Sequence, residues 1–170
     1  TLLLEKRCNG FEGDLKTGVD LGTANIVITV VDENNTPVAA VMEAASVVRD
    51  GVVVDYIGAT RILQRLKDQV EEIVQRELSC AACAIPPGIS DGNVKVITNV
   101  VESADFEVDN VVDEPTAAAT VLEISDGAVV DVGGGTTGIS IIKDGEVVYT
   151  ADEPTGGTHM SLVLAGALKI

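Results

Sequence analysis

Two short segments of this 170-residue chain share one pattern, an aspartate followed by a turn of small residues between two apolar stretches. The first is Asp20-Leu21-Gly22-Thr23, and the second is Asp131-Val132-Gly133-Gly134-Gly135-Thr136. The Val and Ile residues on both sides of each turn favour strands. An internal repeat constrains a fold more strongly than any single segment, so we expect two related strand-turn-strand units.

The order of the predicted elements supports this repeat. A first series has three strands, a helix, a strand, a helix, a strand and a helix, and a second series begins again with three strands and a helix. The clearest helix is predicted from about Ala59 to Leu78, where apolar residues recur at the spacing of one helical face. This order predicts an α/β fold. The other predicted ranges are strands at 18–31 (interrupted by the first turn), 38–43, 80–85, 107–112, 128–132, 137–142 and 146–151, a hairpin at 46–54, and helices at 94–103, 116–122 and 160–168.

Composition and charge exclude several classes of function. The chain has 27 acidic and 11 basic residues, and its net charge of −16 opposes binding to nucleic acid or to an anionic membrane surface. No apolar run approaches the roughly 18 residues that a membrane-spanning helix needs. Because 46% of the residues are hydrophobic, disorder is also excluded. An odd count of three cysteines gives no disulfide framework and favours a reducing cytoplasm.

Two features of the sequence, a CxxC pair and a single histidine, resemble parts of reactive sites but are expected to have no chemical role. Cys80 and Cys83 have CxxC spacing, but residues three apart on a strand point to opposite faces, so core packing is expected instead of redox or zinc chemistry. His159 follows Gly157 and Thr158 at the start of a predicted helix. Without partners in the sequence, it is expected to be structural or to face solvent.

The two turns have the composition of an anion-binding site. Glycines allow backbone N–H groups to converge on an anion, and Thr23, Thr136 and Thr137 add hydroxyl donors. An aspartate beside such a turn would repel phosphate unless a divalent cation lay between them, and Mg²⁺ binds carboxylates together with phosphate oxygens. Two such turns facing one another would hold a polyphosphate with its metal. Either turn alone has an ordinary hairpin as its alternative interpretation.

A third segment, Val111-Val112-Asp113-Glu114-Pro115-Thr116-Ala117-Ala118-Ala119, lies between the two turns. Together the three resemble the phosphate-1, connecting and phosphate-2 motifs of the actin-like ATPase superfamily, which includes actin, the seventy-kilodalton heat-shock chaperones and MreB. The stretches 84–88, 129–138 and 152–159 resemble a branch of this superfamily that serves bacterial ethanolamine utilisation. The resemblance covers the chain from about residue 17 onward.

The resemblance implies a ribonuclease H-like fold with Mg²⁺ and ATP in a cleft between two lobes, and it implies roles by position. Asp20 would bind the metal through water, and Asp131 would position the metal or the attacking water. Glu114 matches a carboxylate near that water, so Glu114 and Asp131 are the catalytic candidates. A helix N-terminal carboxylate stabilised by the dipole is a compatible alternative for Glu114. The residues implied to bind nucleotide are Gly22, Thr23, Ala24, Gly133, Gly134, Gly135, Thr136, Thr137, Gly156 and Gly157.

The resemblance also divides the chain into three parts. Residues 1–16 are expected to be a leader or flexible arm, 17–125 a complete first lobe, and 126–170 a partial second lobe. The family's adenosine-binding segment has no match. The remainder of the second lobe could lie outside this sequence, or a partner chain could supply it. An incomplete lobe leaves a sheet edge and an apolar face open, so self-association is expected there.

The implied function is a cytoplasmic, Mg²⁺-dependent ATP-binding protein with slow ATPase activity and a chaperone-like role in ethanolamine utilisation. Its expected partners are nucleotide and microcompartment or ethanolamine-utilisation proteins, with no nucleic acid and no membrane. Two alternatives stay open. One is an actin-like scaffold or assembly module, and the other is a fragment that folds without activity.

Overall fold

The computed structural model describes residues 8–49 and 51–170. Within these ranges the helices are α1 (Tyr56–Val74), α2 (Asp91–Glu102), α3 (Glu114–Val121) and α4 (Gly157–Leu168). The strands are β1 (Leu15–Leu21), β2 (Asn25–Asp32), β3 (Pro37–Ala44), β4 (Val48–Arg49), β5 (Val52–Val53), β6 (Cys80–Ile85), β7 (Glu107–Asp113), β8 (Gly127–Val132), β9 (Thr137–Lys143) and β10 (Glu146–Glu153). The predicted α/β element order is therefore confirmed.

The strands form two main sheets. The first has the order β3-β2-β1-β6-β7, with antiparallel pairing from β3 to β1 and parallel pairing from β1 through β6 to β7. The second has the order β10-β9-β8 and is antiparallel throughout. The short hairpin of β4 and β5 stands apart from both. The second sheet thus reproduces the first three strands of the first sheet in the same order.

The two hairpins that carry the repeated pattern have the same register. Leu21 pairs with Ile26 at the end of the β1–β2 hairpin, and Val132 pairs with Thr137 at the end of the β8–β9 hairpin. Each of these last pairs encloses a turn of the same length, and each aspartate lies one residue before the pair. The similarity of the two segments is therefore structural as well as sequential.

Helix ends differ from the predicted ends where side chains cap the backbone. Helix α1 begins at Tyr56 because Asp55 accepts a hydrogen bond from the Gly58 N–H group at 2.9 Å. It ends at Val74 because the next residue, Gln75, has a left-handed φ of 53°. Helix α2 begins three residues earlier than predicted because Ser90 caps it. These caps depend on polar residues that lie outside the apolar periodicity.

The chain before β1 packs against the first sheet from residue 8 onward. The Asn9 N–H group donates to the Val38 carbonyl at 2.9 Å, and Arg76 donates from Nη1 to the Gly13 carbonyl at 2.7 Å. Phe11 packs against the core. Part of the expected leader at 1–16 is therefore attached to the fold, and the part at residues 1–7 lies outside the described residues.

The main core lies between the first sheet and helices α1 and α2. Helix α1 buries one face, with Leu63 and Val70 fully covered, against buried residues of β2 and β3 such as Ile28 and Val41. Burying a side chain of this size contributes roughly 1.5–3 kcal/mol. Among the described helices, none is long and apolar enough to cross a membrane.

Candidate functional site

The two repeated turns meet across a cleft between the sheets. A Cβ atom placed on Gly134 would lie 2.6 Å from the Cβ atom of Ala24, and one on Gly135 would lie 2.7 Å from the Thr23 hydroxyl oxygen. Side chains at these two glycines would therefore force the turns apart. Beside this contact is a cavity of about 180 Å³. Ten predicted residues line it: Asp20, Gly22, Thr23, Ala24, Glu114, Asp131, Gly133, Gly134, Gly135 and Thr136.

Backbone donors in both turns remain available. Gly133 donates its N–H group to the Thr136 carbonyl at 2.9 Å, which closes the second turn. The N–H groups of Thr23, Ala24, Gly134 and Gly135 form no backbone hydrogen bond with any other described residue. Unpaired amide groups that converge on a cleft are the elements of an anion site.

Asp20 reaches the cavity from the last residues of β1. Its Oδ1 atom is buried and has no hydrogen-bond partner among the described residues. Burial and, second, the charge of Asp131 raise the pKa of Asp20 to about 6. A buried carboxylate oxygen without a partner is costly, which is consistent with a site for a cation or for ordered water.

Glu114 is the first residue of α3, the helix that connects the first sheet to the second. Asp113 ends β7 and caps α3 by accepting from the Thr116 N–H group at 3.0 Å, so Glu114 is fixed at the helix N-terminus. Burial raises the pKa of Glu114 to about 8, and the next causes are the charges of four carboxylates: Asp20, Asp131, Asp152 and Asp113. The fold therefore places Glu114 among acidic groups that oppose its ionisation.

Three predicted nucleotide-binding residues do not line the cavity: Gly156, Gly157 and Thr137. The Gly157 N–H group donates to the Gly133 carbonyl at 2.9 Å, and Gly156 is buried against Gly133 and Gly134. Thr137 donates its hydroxyl to the Thr155 carbonyl at 2.6 Å. In this arrangement the three residues support the second turn.

Sequence reasoning assigned no role to several residues near the cavity. Asp152, on β10, is close enough to contribute to the raised pKa of Glu114. Val48, Gly51 and Pro86 line the side formed by the β4–β5 hairpin and the end of β6. The sequence signal for Asp152 was its place in the stretch 152–159, in which only Gly156 and Gly157 were predicted to bind nucleotide.

The core packing expected for the CxxC cysteines is confirmed for Cys83 and wrong for Cys80, and His159 caps a helix. Cys83 is buried, Cys80 is exposed, and burial with the nearby charges of Asp20 and Glu114 raises the pKa of the Cys83 thiol to about 12. A thiol with this pKa is protonated and unreactive at neutral pH. His159 accepts through Nδ1 from the Gly156 N–H group at 3.2 Å and so caps α4.

The donor set fits a hydrated cation better than a bare one. Among the described residues, no three His, Cys, Asp or Glu side chains lie close enough to hold a metal ion. Mg²⁺ usually retains several waters and binds one or two carboxylates together with phosphate oxygens. Asp20 and Asp131, facing each other beside open amide groups, match that requirement.

Comparisons with known proteins agree with this geometry. The family described as MreB/Mbl protein matches residues 36–166. The ethanolamine utilization protein EutJ of Escherichia coli K12 is 50% identical over 159 residues, which is 94% of this chain and 56% of that protein. The crystal structure of EutJ from Carboxydothermus hydrogenoformans superposes with a TM-score of 0.93 at 53% identity, covering 99% of this chain and 62% of that one.

A more distant solved structure shares the fold. MreB 5 of Spiroplasma citri bound to AMPPNP gives a TM-score of 0.72 at 20% identity, covering 93% of this chain and 57% of that one. The chain thus spans little more than half the length of these relatives. The predicted actin-like fold, with one complete unit and the opening part of a second, is confirmed.

Proposed function

The chain belongs to the MreB/Mbl family of actin-like proteins, and on that premise we propose that it is a Mg²⁺-dependent ATP-binding module with slow ATPase activity. The observation that carries the proposal is the contact between the two turns, Gly134 with Ala24 and Gly135 with Thr23, beside a cavity lined by Asp20, Glu114 and Asp131. The crystal structure of an MreB protein with bound AMPPNP supports a nucleotide as the ligand.

Phosphate binding is assigned to the turns. The open N–H groups of Thr23, Ala24, Gly134 and Gly135 would donate to phosphate oxygens, and Gly22 and Gly133 allow the backbone to approach closely. The hydroxyl of Thr136 would add a donor. Gly156, Gly157 and Thr137 would act by holding the second turn in place. Donors fixed before the ligand arrives lose little freedom on binding, which favours affinity.

Asp20 and Asp131 would hold the metal through water. When bound, Mg²⁺ would neutralise negative charge on the phosphates and on these carboxylates. Without the metal, phosphate bound to the amide groups would be repelled by several nearby carboxylates. The acidic net charge of −16 is therefore compatible with a nucleotide that is bound together with its metal.

Glu114 and Asp131 would orient the attacking water. Phosphoryl transfer depends mainly on positioning and charge stabilisation, and a carboxylate that accepts a hydrogen bond from water aligns it with the terminal phosphate. Helix α3 fixes the backbone of Glu114 through its Asp113 cap, and Glu114 lines the cavity. Burial and the surrounding acids favour the protonated form of Glu114 at neutral pH, and the positive charge of a bound Mg²⁺ would favour its carboxylate form.

Isothermal titration with ATP in the presence of Mg²⁺ tests the proposal. We expect one site in the wild type and at least a tenfold weaker affinity in Asp20→Asn and Asp131→Asn, because each removes a metal-binding carboxylate. Asp144→Asn is the matched control, since this exposed turn residue undergoes the same chemical change far from the cavity. A folded wild type that binds no nucleotide would exclude the proposed function.

An assembly function is the second candidate, and the exposed apolar surface of the second unit favours it. Leu162, Val163 and Leu164 on α4 are 66%, 74% and 59% exposed. Self-association would cover these apolar residues, as other residues of a longer chain also would. Light scattering and sedimentation with and without nucleotide test it. A monodisperse monomer in both conditions would count against self-association, and a measured ATP turnover would exclude an inactive fragment.

The cellular role is proposed from the relatives. Identities of 50% and 53% to EutJ proteins support work within ethanolamine utilisation, with a chaperone-like action on microcompartment or ethanolamine-utilisation proteins. Co-purification from cells grown on ethanolamine, compared between wild type and Asp20→Asn, checks this role. Recovery of the same partners with both proteins would argue that nucleotide does not control the association.

A further inference from the structure

Asp152 lies in line with Asp131 across the second sheet. In the register of β10, β9 and β8, Asp152 pairs with Gly138, and Gly138 pairs with Asp131. Directly paired residues on neighbouring strands project to the same face, and neighbouring strands lie about 4.8 Å apart. The two aspartates therefore stand on one face with a residue between them that has no side chain.

Helix α3 enters the gap above that glycine. A Cβ atom on Gly138 would lie 2.9 Å from Cγ of Pro115, so the absence of a side chain lets the helix N-terminus approach the sheet. Glu114 directly precedes Pro115, so it lies near Asp131 and Asp152, the residues that pair with Gly138 on either side. The charges of both aspartates oppose its ionisation.

The carboxylate of Asp152 is hydrogen-bonded to the Thr136 side chain, but one of its two oxygens keeps an unfilled hydrogen-bonding position. Its Oδ1 atom is buried and has no partner within residues 8–49 and 51–170, as is also the case for Oδ1 of Asp20. A buried acceptor left without a donor is unfavourable, so folded proteins normally supply water, an ion or a ligand. Two such oxygens flanking one acidic cluster indicate a missing positive or hydrogen-bonding group.

The basic side chains of the described residues do not supply that group. Ion pairs within the described residues join Arg65 to Glu43 and Lys67 to Glu71, which leaves Asp20, Glu114, Asp131 and Asp152 without a basic partner there. Because no three of these side chains can hold a bare ion, any cation must be reached in part through its waters.

We propose that Asp152 is a positioning residue of the cation site, accepting hydrogen bonds from the hydration shell of the divalent cation that Asp20 and Asp131 hold. The inference rests on the proposed function, because the cation is the one that accompanies the nucleotide. It adds the third strand of the second unit to a site otherwise built from the two turns and α3.

The test is the metal dependence of ADP binding, which is independent of turnover. Isothermal titration gives the Kd for ADP with Mg²⁺ and with EDTA, and their ratio measures how strongly the metal assists binding. We expect Asp152→Asn to lower this ratio roughly tenfold, as removal of an outer-shell partner does, with little change in the Kd measured in EDTA. Asp152→Glu keeps the charge and is expected to retain part of the ratio.

Glu153→Gln is the matched control, because this exposed neighbour on the same strand loses the same charge. An equal fall in the ratio for Asp152→Asn and Glu153→Gln would overturn the inference in favour of general electrostatics. A parallel loss of affinity with and without Mg²⁺, or a misfolded Asp152→Asn with an unaltered ratio in Asp152→Glu and Asp152→Ser, would overturn it in favour of a structural role. A wild type that binds no ADP would remove the proposed function itself, whereas an unchanged ratio in a metal-dependent protein removes only the role of Asp152.

Discussion

The two repeated units share a hairpin but differ in what covers it. In the first unit, α1 and α2 bury the sheet, and Leu63, Ile28 and Val70 are fully covered. In the second, α4 has no buried residue, and Val129 and Ile142 of the second sheet form a small buried cluster with Ala119 of α3. The hairpin geometry is nevertheless the same in both. A local turn sequence therefore specifies the turn, whereas burial depends on which other elements are present.

The largest expected difference between the units is in the contribution of their helices to stability. We expect Leu63→Ala in α1 to lower the free energy of unfolding by about 3 kcal/mol, because it leaves a cavity in the main core. Val163→Ala in α4, which is 74% exposed, is expected to change it by less than about 0.5 kcal/mol. Urea unfolding followed by circular dichroism measures both. Similar losses would mean that α4 packs as α1 does.

The second largest effect concerns the acidic cluster. The pKa of Glu114 is raised from 4.5 to about 8 in the folded protein, mainly by burial. Unfolded protein therefore releases this proton at lower pH than folded protein does, and stability falls as pH rises between these two values. We expect Glu114→Gln to be more stable than wild type at pH 8.5 by about 2 kcal/mol, since each pKa unit corresponds to about 1.4 kcal/mol and residual hydration and coupling reduce the effect.

Thermal melting across pH 5 to pH 8.5 checks this result. The advantage of Glu114→Gln should disappear near pH 5, where wild-type Glu114 holds its proton. Asp20 contributes in the same direction, with loss of stability as pH rises from 3.8 to about 6. Glu146→Gln, which removes an exposed carboxylate on β10, is the control for the loss of one negative charge. Parallel melting curves for Glu114→Gln and wild type would contradict the burial of charge at this site.

A third comparison concerns the sheet face that α3 covers. Gly138→Ala is expected to lower stability by about 1–2 kcal/mol, because the added methyl group would lie 2.9 Å from Pro115 and push α3 away. The equivalent position in the first unit is Val27, beside a cavity of about 340 Å³. We expect Val27→Ala to change stability by less than about 1 kcal/mol. Denaturant midpoints compare the two, and equal losses would indicate that the first face is covered as well.

The smallest expected effect is a difference in stability between glycine substitutions in α1 and in α4, the first helix after the opening strands of each unit. Gly166 in α4 has open space around it, so Gly166→Ala should stabilise by about 0.5–1 kcal/mol through helix propensity. A Cβ atom on Gly58 in α1 would collide with the carboxylate of Asp55, which caps that helix. Gly58→Ala should therefore gain nothing or lose up to about 1 kcal/mol. Thermal shifts measured side by side test the pair, and an equal gain would show that the cap adapts.

Much of the fold was predictable from residue patterns. Apolar periodicity located α1, and the alternation of Val and Ile with turn residues located the strands, because both signals are local. Helix ends were predicted less well, since Asp55 and Ser90 act as caps through single hydrogen bonds. In the site, the turn residues Gly22 and Gly134 stood out by composition. Asp152 did not, because its relation to Asp131 exists only through strand pairing.

The sequence by itself determined the repeated turns, the acidic residue beside each, and the order of strands and helices, because these depend on neighbouring residues. Tertiary structure alone decided that Ala24 meets Gly134, that Glu114 enters between the two units, and that Gly138 leaves room for Pro115. The reason is physical. Carboxylate pKa values, open amide groups and buried oxygens without partners arise from groups far apart in the chain that only folding brings into one low-dielectric cleft.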